Sequence, residues 1–173
     1  MGTRKSWQRQ KKEKDRLANM MSCVCFTVLW EDYGWREQRI MRRFAGAMEV
    51  MQECFNRGET PLECLEQETG IELKLDGDKG YHEYMFLSKD VPYRRLTDAE
   101  RIYMWNRQIK FVPMTILASL GVVLHREDKW GFNKLSDYIQ KVDILRNLLG
   151  DDEKRYMDYM RERTGKDAKV LWG

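Results

Sequence analysis

Few side chains in this sequence have the types and spacing that chemistry requires. Histidine occurs twice, at His82 and His125, and neither has a cysteine or carboxylate at the spacing by which a helix or loop holds zinc. The four cysteines, Cys23, Cys25, Cys54 and Cys64, make no paired metal motif and read as small apolar side chains in a reducing cytosol. Asp76-Gly77-Asp78 begins like a calcium loop, yet the third acidic position, the central glycine and the distal glutamate are missing. It reads as a turn. Neither a phosphate-cradling glycine loop nor a nucleophile elbow occurs. The sequence therefore predicts no enzyme activity, no catalytic residue, no metal and no cofactor.

What remains is charge. The chain carries a net +3, but residues 1–16 hold seven basic side chains against Glu13 and Asp15, which leaves the body slightly acidic. Lys5, Arg9, Lys12 and Arg16 are spaced 4, 3 and 4 apart, so a helix aligns all four along one side. Such a stripe is the footprint of a phosphate-backbone partner, whereas the bland alternative is a solvated tail. A second group, Arg36, Arg39 and Arg43 with Arg42 beside it, occupies the outer face of the next helix. Helix, glycine turn, helix invites a helix-turn-helix reading with these arginines opening a recognition helix. Base edges are read by Asn, Gln or Ser beside Arg, however, and only Gln38 fits, so packing around the turn is the simpler account.

The elements that position these groups recur at an offset of 95 residues. Val28-Leu29 answers to Val123-Leu124, Ile40 to Leu135, Cys54 to Leu149, Leu62 and Leu65 to Met157 and Met160, and Thr69-Gly70 to Thr164-Gly165. The turn Tyr33-Gly34-Trp35 answers to Trp130-Gly131-Phe132 if a two-residue indel is allowed. Apolar residues at helical spacing predict helices over about 3–32, 36–57, 114–127 and 133–149, and shorter ones begin at Thr60-Pro61-Leu62-Glu63 and at Asp151 or Asp152. Met48, Phe55 and Leu148 fall on the predicted inner faces. Between the copies, alternation over Ile71, Leu73 and Leu75 and an aromatic run from Tyr81 to Leu87 predict a β-hairpin. Thr97-Asp98-Ala99-Glu100 opens a helix that Pro113 kinks or ends. The expected fold is mainly α: a duplicated helix, turn, long helix, short helix unit with a small hairpin between copies. The predicted divisions are 1–21, a basic helix or tail; 22–70, the first repeat; 71–97, the connecting hairpin or loop; and 98–173, a helix and the second repeat.

The basic start before Leu17 to Trp30 lacks the cleavage site of a signal peptide, and Phe111 to Leu124 is too short to span a bilayer. A cytoplasmic protein without a membrane partner is expected.

The segment from Val28 through Glu31-Asp32-Tyr33-Gly34-Trp35 to Arg39-Ile40, with Leu62 to Ile71 closing the unit, resembles a recurrent small protein of Firmicutes phages and mobile elements. That resemblance implies a short set of roles: control of phage genes, help in replication, or disabling of host defence, including anti-CRISPR inhibition. The resulting expectation is a non-enzymatic inhibitor of a host nucleic-acid machine, most plausibly an RNA-guided nuclease. It would touch its protein or ribonucleoprotein partner, and DNA or RNA, through Lys5, Arg9, Lys12, Arg16, Arg36, Arg39 and Arg43. The alternative is a DNA-binding regulator of phage transcription or replication.

Overall fold

A computed structural model describes residues 2–73, 97–99 and 109–172. Six α-helices carry the described chain: α1 (Gly2–Tyr33), α2 (Glu37–Arg57), α3 (Pro61–Thr69), α4 (Val112–Asp128), α5 (Phe132–Leu149) and α6 (Glu153–Thr164), followed by a 3-10 turn over Ala168–Trp172. No strand occurs among the described residues. Ile71 to Leu73 form no regular element, and the rest of the predicted hairpin lies outside the described residues, as do Ile102 and Trp105 of the helix predicted before Pro113.

Two helices each hold a stretch that is buried around its whole circumference, and they are therefore central. In α1 every residue from Met20 to Leu29 is buried, and in α4 every residue from Leu117 to Leu124 is buried. The remaining helices are amphipathic and cover this pair. Their partnership is crossed: α1 packs most on α6 and also on α5, α4 packs chiefly on α2 and α3, and α1 and α4 pack on each other. One core results, because each central helix is clasped by helices from the opposite half of the chain. Glycine permits the closest approaches. A Cβ at Gly46 of α2 would stand 3.1 Å from a methyl of Val123, and one at Gly121 of α4 would stand 3.1 Å from a methyl of Leu65.

Several local hydrogen bonds recur in the two halves 95 residues apart. The amide of Trp35 bonds Leu29 O at 3.1 Å, and that of Trp130 bonds Leu124 O at 3.3 Å. Gly70 bonds Glu66 O, and Gly165 bonds Arg161 O. Thr69 Oγ1 donates to Leu65 O and accepts from the Ile71 amide, and Thr164 Oγ1 does the same with Met160 O and the Lys166 amide. Gly34 (φ 72°) and Lys129 (φ 60°), also 95 residues apart, are both left-handed. Gly131 is extended and precedes α5 instead of closing α4.

Pro113 stands in the first turn of α4, where a proline's missing N–H costs nothing, and most of the helix predicted to kink or end there lies outside the described residues. Thr60 caps α3 with its side chain accepting from the Glu63 amide while the Glu63 carboxylate returns to the Thr60 amide. Asp152 caps α6. Met48, Phe55 and Leu148 do not point inward as predicted but are 66%, 77% and 68% exposed. Each sits at the edge of an apolar stripe that is wider in sequence than the face its neighbour covers. Among the described residues no helix is long and apolar enough to cross a membrane.

Candidate nucleic-acid interface

The first four turns of α1 precede its buried stretch and carry the basic stripe. Lys5, Arg9 and Lys12 are exposed on it, and no ion pair involves them among the described residues. Arg16 behaves differently. Its guanidinium bonds both Glu13 carboxylate oxygens, at 2.7 and 3.0 Å, and reaches Asp151 at the turn between α5 and α6, at 3.0 Å to the carbonyl oxygen and 3.3 Å to the carboxylate. The hydrogen bond from Arg16 holds the Glu13 carboxyl below its ordinary range, against a smaller opposing effect of burial. Arg16 thus ties α1 to the second half of the chain. On the opposite side of α1, Trp7, Lys11 and Lys14 border an open, mostly apolar groove of about 700 Å³ that continues over Phe44, Met48 and Met51 of α2. Trp7 is 50% exposed, with the Lys11 ammonium 5.8 Å from its ring centroid.

The arginines of α2 are engaged within the fold. Arg36 lies 4.3 Å over the Trp30 ring and donates to Trp35 O at 3.1 Å. Arg39 lies 3.7 Å over the Trp35 ring and donates to Asp128 at 3.0 Å. Arg43 grips the same carboxylate with two nitrogens, at 2.6 and 3.0 Å. The Asp128 side chain is only 5% exposed. Burial alone would raise its pKa, but the bonds from Arg43 and Arg39 outweigh that and hold it below the ordinary value. Of the seven predicted contact residues, Lys5, Arg9 and Lys12 stand together on an outer face. Arg16, Arg36, Arg39 and Arg43 are committed to internal partners.

Sequence reasoning missed the partners of those arginines. Asp128 ends α4, 85 residues beyond Arg43, and nothing local distinguishes it from Glu127. It also missed Arg126, whose guanidinium makes two parallel bonds to Glu68, at 2.7 and 3.0 Å, and approaches Glu53 at 3.4 Å. The one signal in the sequence is an i, i+4 arginine pair facing a helix end that holds an acid.

The remaining candidates are structural. His125 Nδ1 meets Trp130 O at 2.8 Å, which fastens the helix end to the following turn. His82 lies outside the described residues. All four cysteines are buried free thiols. Burial pushes Cys23, Cys25 and Cys64 up to about 12 and raises Cys54, so none is poised as a nucleophile at neutral pH. Among the described residues no three histidine, cysteine or carboxylate side chains converge as ligands. Comparison of the chain with protein-family models, curated proteins and solved structures found no match.

Proposed function

We propose that this chain is a non-enzymatic binding protein that attaches to a nucleic-acid machine of a bacterial host, acting in the cytoplasm. The observation that carries the reading is the exposed face of α1, where Lys5, Arg9 and Lys12 present three cations along about two helical turns outside the core. An assembled ribonucleoprotein supplies both a phosphate backbone for that face and a protein surface for the apolar groove behind it. The narrowest form of the proposal, suggested by the phage-protein resemblance, is inhibition of an RNA-guided nuclease. The runner-up, a sequence-specific DNA regulator, loses support from the arginines of α2: a recognition helix needs them at base edges, and Arg36, Arg39 and Arg43 are spent on Trp30, Trp35 and Asp128. The architecture belongs to the same proposal. The two helical triads derive from one duplicated unit, whose paired copies build the scaffold that carries α1.

The test is a Lys5→Gln/Arg9→Gln/Lys12→Gln variant, with Arg16 left in place because it holds the fold together. Binding to nucleic acid or to a nuclease-guide complex should weaken, and its logarithmic salt dependence should flatten by about one unit for each phosphate that is no longer neutralised. Mobility shifts with free duplex and protection assays with an assembled nuclease-guide complex separate the two readings. Tight, sequence-specific binding to duplex alone would reverse their order.

A further inference from the structure

Equivalent positions in the two halves, taken as copies of one unit, carry opposite charges where the halves meet. Arg126 at the end of α4 pairs with Glu68 of α3 at 2.7 Å. The positions 95 residues away are Glu31 at the end of α1 and Arg163 of α6, and they pair as well, at 3.7 Å. The first half therefore contributes two glutamates and the second half two arginines to the same pair of symmetry-related contacts. We propose, resting on the duplication reading, that this inversion makes each half accept the other and reject a second copy of itself, so that like halves of different chains do not join into oligomers.

A tandem of two self-complementary units is prone to concatenation. First halves could pair with first halves of another chain, and second halves with second halves, without closing. With the observed residues, pairing two first halves would set Glu31 against Glu68 twice, and pairing two second halves would set Arg126 against Arg163 twice. Like charges opposed across a contact are unfavourable, and they discriminate between partners more effectively than the matching ion pairs stabilise the correct one. A second contact acts in the same sense. Asp128 holds Arg39 and Arg43, but the position equivalent to Asp128 is Tyr33, so two first halves would leave those arginines without their carboxylate. Arg43 is 19% exposed, and a cation so covered needs its partner.

The decisive variant keeps both intrachain pairs and removes the charge inversion, leaving the Asp128 contact in place. Glu31→Arg/Arg163→Glu restores an opposite-charge contact between 31 and 163 while also making 31 with 68, and 126 with 163, attractive between chains. After refolding from denaturant at increasing concentration, the unaltered chain should sediment as a monomer. The variant should form dimers and longer species, with self-association of either half strengthened roughly tenfold. Should that variant fail to fold, Glu68→Arg/Arg126→Glu with Glu53→Gln produces the same symmetry from the other pair and carries the same expectation. A monomeric, folded variant overturns the proposal, as does an unaltered chain that oligomerises equally. A double-mutant cycle on Glu68 and Arg126 then separates the causes. Coupling without oligomers refutes the charge discrimination alone, whereas absence of coupling refutes the crossed pairing on which it stands.

Discussion

Asp128 neutralises two arginines and is itself almost fully covered. Replacing it by alanine leaves Arg43 partly buried without a counter-ion, and the loss of charge-assisted hydrogen bonds predicts a cost of about 2 kcal/mol. Urea unfolding at neutral pH reads this as a lowered midpoint with an unchanged slope. The pH dependence has a defined sign. Bonds from arginine hold the carboxyls of Glu13 and Glu68 below their ordinary values, and in Asp128 burial is the largest single influence and raises the value, but the arginine bonds together outweigh it. A carboxyl depressed in the folded state leaves the unfolded chain to bind protons more readily, so its stabilisation is complete above the unfolded value of about 4 and is lost as pH falls below it. Stability should decline through that window, and the Asp128→Ala variant should decline less steeply there than the unaltered chain. Parallel acid limbs for the two proteins would show that Asp128 is not a principal source of the pH dependence.

Among the elements, the helix ends are the most exacting test of the local equivalences. Both central helices close through a left-handed residue, glycine in one half and Lys129 in the other, and a side chain in that conformation carries a penalty of about 1 kcal/mol. Lys129→Gly should accordingly raise stability by roughly 0.5–1 kcal/mol, and Gly34→Ala should lower it by about 1 kcal/mol, each measured by denaturant titration. Opposite signs at two positions 95 residues apart are the signature; two losses would mean that the Lys129 side chain, bonded to Arg126 O at 2.9 Å, matters more than its backbone. Helices of this kind are legible in sequence because apolar spacing and caps are local: Ile40, Cys54 and Leu135 lie where periodicity puts them, and the Thr60 box forms as spelled. The left-handed end of α4 is not legible in sequence because a lysine, not a glycine, takes φ > 0 there. Met48 and Phe55 read as inward because the width of an apolar stripe does not state how much of it a neighbour covers. The arginines of α2 read as a surface group because the acid that claims them belongs to the opposite half, and no local pattern encodes crossed packing.

At the scale of the whole molecule, crossing has a consequence that two side-by-side repeats would lack. If each half kept its own three helices together, either could open while the other persisted, as neighbouring repeats in an array do. Here α1 is covered by α5 and α6, and α4 by α2 and α3, so removing either half exposes a stretch of central helix that is buried all round. Trp35 and Trp130, with ring centroids 5.6 Å apart, join the two halves edge to face and bury both indoles. Tyr138 from α5 closes the same cluster and donates to Cys25 O of α1 at 3.0 Å. Unfolding should therefore be one cooperative transition, with helix content by circular dichroism and tryptophan fluorescence falling at the same denaturant concentration. The thiols supply a third probe distributed over both partners of the crossing, since Cys23 and Cys25 lie on α1, Cys54 on α2 and Cys64 on α3. All four should resist an aromatic disulfide reagent at pH 8 in the native state and become reactive together, at the midpoint reported by the optical probes. Labelling of Cys54 and Cys64 at a lower denaturant concentration than Cys23 and Cys25 would mean that α2 and α3 detach on their own, and the crossed packing would then join the halves too weakly to make them one cooperative unit.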